Sequence, residues 1–303
     1  MSLRALLCGG LAALTLASAA AVAQECVPVG VWLRPHDRSV IAEPAVLAVA
    51  VRAQAVLLGE QHAHPPQQRW QLQMLRALHA RHPQLIVGFE MFPRRVQPAL
   101  DRWVAGETDV ETFIEESDWK KVWRFDFEHY RPLFEYAREH AIPMRALNVE
   151  RSLVRATGAE GFAAVPAAER EGVSSPADPP RAYVTHLHEI YAEHARSRDA
   201  EVDEAAFGRF VEAQLLWDRA MAQGIAEALQ QRPDALVVGI MGRGHVQHGH
   251  GVPHQLADLG VTRVMSLLPW SADDDCADLV PGIADAVYGV EAGEREEREA
   301  PSN

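Results

Sequence analysis

The sequence predicts an α/β fold: a mostly parallel sheet flanked by helices, with a helical cap inserted between two sheet-forming halves. Three observations carry this. Short apolar runs stand at 55–59, 85–89 and 236–240, as strands buried on both faces read. Stretches with helical apolar spacing lie between them, and that alternation argues for parallel pairing. From about residue 150 to 232 the pattern stays helical, which is too long for a connecting loop.

The elements follow in order. Residues 29–34 alternate loosely and predict a short entry strand, and 45–53 predict an Ala/Val-rich helix. Ala55-Val56-Leu57-Leu58-Gly59 is the first buried strand. After Pro65-Pro66, the spacing of Trp70, Leu72, Met74, Leu75 and Leu78 predicts an amphipathic helix with proline in its first turn. Leu85 to Phe89 is the second strand, and 96–105 and 110–116 are helical. Asp126 to His140 is a helix with Phe127, Tyr130, Phe134 and Ala137 on one face. Pro143 to Leu147 is a third strand. Three prolines between Ser174 and Pro180 mark a loop, and 203–231 form a long amphipathic helix. Strands at 234–241 and 261–268 follow, then an edge strand at 286–290.

Composition bounds the class. The chain has 303 residues, 48% of them hydrophobic and 23% charged, which is ordinary globular usage. Acidic residues number 42 against 29 basic, a formal charge of −13. That disfavours a nucleic-acid surface, which needs clustered Lys and Arg. Met1 to Arg4, the apolar stretch to Ala20 and Ala21-Val22-Ala23 read as a signal peptide with its cleavage site. Removing 23 residues leaves 280 and, with Arg4 gone, a charge of −14. No later apolar run is long enough to span a bilayer, so no stable membrane anchor is expected. The expected product is exported or periplasmic: one α/β domain over 24–290, its cap at about 150–232, and a disordered acidic tail at 291–303. Export leaves Cys26 and Cys276, either disulfide-bonded or as two free thiols.

Three motifs stand directly after expected strands: Gly59-Glu60-Gln61-His62, Gly88-Phe89-Glu90-Met91 and Gly242-Arg243-Gly244-His245. Ligands of open α/β sheets bind beyond the carboxyl ends of the strands. Glu60, His62, Glu90 and His245 are therefore expected to share one cleft. Such a set either holds a divalent metal through imidazole and carboxylate or works as an acid–base centre. The plainer reading makes Glu60 and Glu90 partners of buried cations such as Arg145 or Arg151. No His-Glu-x-x-His or Gly-x-Ser-x-Gly string occurs, and Gln247 breaks a Gly-x-Gly-x-x-Gly fingerprint. His245, His248, His250 and His254 form a histidine run, read either as metal capture or as a polar turn shaped by Gly249 and Gly251.

A second constellation is aromatic. Trp119, Trp123, Phe125, Phe127, Tyr130 and Phe134 interleave with Lys120, Lys121, Arg124 and Arg131. A porphyrin needs an apolar platform, an axial ligand and cations for its propionates. This segment offers all three, with Tyr130 or His129 as ligand. Equally, the aromatics serve as ordinary helical core.

Together these residues resemble the ChaN-like haem-binding proteins, which are grouped with the TraB/Tiki and erythromycin-esterase-like superfamily. The resemblance rests on Leu57 to His62, Phe89-Glu90-Met91-Phe92 and the Gly-x-Gly-His-Val block at 242–246. It extends through Gln97, Tyr130-x-Pro132-Leu133, Ala146-Leu147-Asn148, Gln214-x-x-Trp217-Asp218-x-x-Met221-Ala222 and Gly251-Val252-Pro253. It implies an exported α/β protein that binds haem for iron uptake, transport or storage. It also implies haem held at a homodimer contact with tyrosine ligation, here assigned to Tyr130; on the residue reading, Lys120, Lys121, Arg124 or Arg131 would meet the propionates. Family members are often lipoproteins, and this chain lacks a lipobox. Enzymatic relatives use Glu and His at positions resembling Glu60, His62, Glu90 and His245, so a hydrolase, metal-dependent or not, is the alternative.

Overall fold

Eight strands form one sheet in the order β2-β1-β8-β7-β3-β6-β4-β5. The computed structural model describes residues 26–197 and 201–293. The expected signal peptide, and the expected tail beyond residue 293, lie outside the described residues. The strands are β1 (Trp32–Leu33), β2 (Val40–Ile41), β3 (Ala55–Glu60), β4 (Leu85–Pro93), β5 (Met144–Asn148), β6 (Leu236–Gly242), β7 (Val264–Ser271) and β8 (Ala286–Val290). The helices of the first half are α1 (Glu43–Ala50), α2 (Pro65–His79), α3 (Gln97–Val104), α4 (Val110–Glu116), α5 (Trp119–Val122) and α6 (Phe127–Glu139). Those of the second half are α7 (Arg151–Glu160), α8 (Arg181–Arg196), α9 (Glu204–Gln231) and α10 (Val252–Asp258).

From β8 to β5 all neighbours are parallel, while β1 pairs antiparallel with both β8 and β2. The fold class expected from sequence is therefore observed. One detail differs: β8 is not an edge strand, because β1 folds back along it and leaves β2 at the margin.

Strand residues alternate between two cores, as the pleat requires. Val56, Leu58, Val87, Phe89, Val238 and Ile240 face α1 to α6. Ala55, Leu57, Ile86 and Val237 face the C-terminal half of α9 and α10. Met221, Ile225 and Leu229 thus belong to the main core. The helical insert is a cap only in part: α7 and the middle of α9 share a cluster around Leu153 and Leu216, and α8 packs on the N-terminal half of α9.

Local chemistry sets the helix starts. Prolines open α2, as the sequence indicates. Asp109, Asp126 and Asp203 accept backbone N–H bonds at the starts of α4, α6 and α9. Cys26 and Cys276 are disulfide-bonded, with Cα atoms 5.3 Å apart. No helix among the described residues is long and apolar enough to cross a membrane.

Candidate functional site

β3, β6 and β4 are adjacent and parallel, so their carboxyl ends meet at one edge of the sheet. Glu60 ends β3 opposite Gly242 of β6, and Glu90 follows the Phe89–Ile240 pair on β4. The structure brings the four residues together, but only His62, Glu90 and His245 line the cleft; Glu60, expected there too, is buried beneath it.

Glu60 is buried and fully engaged. Its Oε1 accepts from the Tyr130 hydroxyl at 3.0 Å, and its Oε2 from Gln68 Nε2 at 2.7 Å. His62 Nδ1 lies 2.9 Å from the same Oε1. A carboxylate on Nδ1 fixes the ring and turns Nε2 outward. The turn after His62 is itself strained, with Ala63 in the left-handed region at φ 51°. The Ala63 N–H donates to the Tyr130 oxygen at 2.9 Å, which holds that conformation.

Glu90 is anchored from the other side. Gly242 N–H donates to its Oε2 at 2.6 Å, and Asn148 donates to its carbonyl at 2.9 Å. Its Oε1 lies 4.0 Å from His62 Nε2 and 3.7 Å from His245 Nε2. Two imidazoles thus flank one carboxylate oxygen.

His245 has an oriented ring as well. Its Nδ1 lies 2.7 Å from Asp218 Oδ1, and Tyr183 donates to Asp218 Oδ2 at 2.8 Å. Burial alone would lower the His245 pKa. The Asp218 hydrogen bond and the Glu90 and Asp218 charges outweigh it and push the pKa up to about 9. At neutral pH His245 is therefore an imidazolium. Asp218 had appeared only as part of the α9 motif, and Tyr183 and Gln68 carried no sequence signal. Asp218 and Tyr183 act at long range in sequence, which periodicity and spacing do not register, whereas Gln68 lies only eight residues from Glu60.

Glycines let these loops touch. A Cβ on Gly242 would lie 3.0 Å from His62 Cε1, and one on Gly59 would overlap Leu268 Cδ2 and lie 3.2 Å from Arg243 Cα. The two glycine-led motifs are thus in mutual van der Waals contact.

A cleft of about 1000 Å³ opens above these groups, lined by His62, Glu90, Trp123, Trp217 and His245. Lys120, Lys121, Arg124, Arg151 and Arg155 are also in its lining. Lys120 and Lys121 are exposed. Arg124 sits at φ 67°, and its buried Nε has no hydrogen-bond partner among the described residues.

Several expectations need correction. Tyr130, assigned to iron, is fully buried beneath the cleft rather than lining it. Burial and the Glu60 charge raise its pKa well above that of an ordinary phenol. Arg131 lies outside the cleft, on the outer face of α6, paired with Glu128 and Glu135 at 3.3 and 2.7 Å. Trp119, Phe127 and Phe134 are ordinary core around Phe92 and Phe113; of the aromatic run only Trp123 lines the cleft. Arg145 donates to Gln231 and Arg151 to the Val122 carbonyl.

The expected metal role has no preformed cage. Among the described residues no group of three or more His, Cys, Asp or Glu side chains is placed to hold a metal ion. In the histidine run, His248 adopts φ 59° and stacks on His250 at 5.4 Å, a turn geometry.

Comparison with known proteins agrees with this architecture. The solved ChaN of Campylobacter jejuni, described as binding haem cofacially, superposes with a TM-score of 0.67 at 17% identity, over 85% of this chain and 95% of that one. An erythromycin esterase, EreC, gives a TM-score of 0.47 at 13% identity, over 79% and 77% of the two chains. No curated protein is a significant match. The family model for haem-binding uptake proteins (Tiki superfamily, ChaN) matches residues 46–256, and the chain belongs to that family.

Proposed function

We propose that this protein binds haem in the cleft above Glu90, in an exported compartment, as a step in iron uptake, transport or storage. The observation that carries the reading is the cationic rim. Lys120, Lys121 and Arg124 border a cleft walled by Trp123 and Trp217. Propionates need such donors, and a porphyrin face needs such a wall. His62 Nε2 is the iron-ligand candidate at the floor, because Glu60 holds its other nitrogen as the partner of a ligating histidine should. Bound haem would supply the iron; the chain's own contribution is the imidazole, the rim charge and exclusion of water. The Cys26–Cys276 disulfide supports an oxidising location.

The test is titration of purified mature protein with hemin. A saturable Soret change is expected, and His62→Ala should alter its position. No saturable change in the wild type would refute haem binding; an unchanged spectrum in His62→Ala would remove only the ligand.

The pair of carboxylate–histidine dyads favours a second reading, hydrolysis. Glu90 would take a proton from water, and the His245 imidazolium would stabilise the developing negative charge. Turnover of ester or amide panels that disappears in Glu90→Gln is the expected result; turnover that survives it would refute the reading.

A further inference from the structure

We infer that Asp274 is a positioning residue for the cleft, latched by the Cys26–Cys276 disulfide, so that reduction of that bond loosens both loops carrying the site histidines. Asp274 lies in the irregular segment 272–285 between β7 and β8. Its Oδ1 accepts from Gln61 Nε2 at 2.9 Å and from Arg243 Nη1 at 3.2 Å. Gln61 sits between Glu60 and His62, and Arg243 lies two residues before His245. One carboxylate therefore ties the loop after β3 to the loop after β6, and neither Gln61 nor Arg243 lines the cleft.

The tie is sheltered. Asp274 is 12% and Arg243 19% exposed, so solvent screens the pair less than a surface ion pair. The Arg243 guanidinium also lies 5.3 Å from the Trp270 ring centroid, which restricts it further. Gln61 is held at its backbone too, donating to Gln67 Oε1 at 2.6 Å.

The latch stands two residues further on. Cys276 is bonded to Cys26, ahead of β1, and Arg38 donates to the carbonyls of Cys276 and Leu279 at 3.2 and 3.3 Å. Asp274 Oδ2 accepts from Ser271 N–H at 2.8 Å, and further along Leu279 and Ile283 are buried in the core while His248 N–H donates to the Ile283 carbonyl at 2.9 Å, so the disulfide and Arg38 act on the stretch around Asp274 rather than on the whole segment. Both cysteines are partly exposed, so a dithiol can reach them. In that exchange the S–S bond breaks and two thiols form. The two electrons and two protons come from the dithiol, which leaves as its own disulfide. Reduction frees the 276 end of this stretch from residue 26, so Asp274, two residues away, is held less firmly against Gln61 and Arg243.

The proposal rests on the haem reading for one of its two readouts. Hemin affinity is measured for wild type, Asp274→Ala, the Cys26→Ser/Cys276→Ser double variant and all three changes together, with and without dithiothreitol pretreatment. Reduction and Asp274→Ala should each weaken binding about tenfold, and their combination should cost no more than either alone, because they act through one tie. Additive losses, or a full effect of reduction in Asp274→Ala, would overturn the latch. If wild type binds no hemin, the haem reading fails by itself. The same cycle is then read on the His245 titration midpoint by imidazole NMR. Asp274→Ala and reduction should shift it equally and non-additively, and an unmoved midpoint in both would overturn the latch independently. Thermal melts of each sample identify variants that have lost the fold.

Discussion

His245 Nδ1 stands 2.7 Å from Asp218 Oδ1, which joins a strand-end histidine to a carboxylate on a long helix of the insert. That link makes the insert part of the site. Replacing Asp218 by Asn keeps the shape and removes the charge. The His245 midpoint, about 9 in the wild type, should fall by roughly 1–3 units. Imidazole NMR across the titration checks this, and an unmoved midpoint would show that Glu90 alone sustains the imidazolium.

The same shift makes stability depend on pH. The folded His245 holds its proton up to about 9, against an ordinary value of 6.5. Its contribution is fully present below 6.5 and is lost as pH rises through 9. Denaturant midpoints at pH 6, 7.5 and 9.5 should therefore fall with rising pH, and His245→Gln should flatten the fall. An equal slope in both proteins would assign it to other groups.

Tyr130 is tied to the histidine on β3 rather than to the open cleft. Tyr130→Phe removes the hydroxyl that bonds both Glu60 and Ala63 N–H, leaving buried groups short of a partner. The expected cost is about 1–3 kcal/mol of stability. The Soret position should stay where it is, because the phenol does not reach the ligand. A shifted Soret band in Tyr130→Phe would restore tyrosine ligation.

Much of this was legible in the chain. The buried strands announced themselves as apolar runs, and the Glu and His residues stood directly after them. Gly242 illustrates the physics: only a missing side chain lets His62 sit so close. Asp218 and Tyr183 were not legible as site residues, because a helix of the insert brings them back across the sheet. Tyr130 misled for a related reason. Its spacing with Phe127 and Phe134 defines one apolar face, and a helix face that points inward looks the same in sequence as one that binds a flat ligand.

Glycine at 242 gives a direct check on the contact between the motifs. A Cβ there would lie 3.0 Å from His62 Cε1 and 3.2 Å from its Nε2. Gly242→Ala should therefore displace the imidazole, cost about 1–3 kcal/mol as overpacking does, and weaken the hemin signal. Stability and hemin titration together distinguish displacement from simple unfolding.

The rim separates the cations that matter from those that do not. Lys120 and Lys121 line the cleft, whereas Arg131 spends its charge on Glu128 and Glu135. A Lys120→Glu/Lys121→Glu variant should bind hemin about tenfold more weakly, with a shallower salt dependence, since rim charges act through a screened field. Arg131→Ala should bind as the wild type does. Equal losses in the two variants would mean that the whole basic segment, and not the cleft, attracts the ligand. An unchanged affinity in the double variant would move the propionates to the arginines of the same lining, among them Arg124, Arg151 and Arg155.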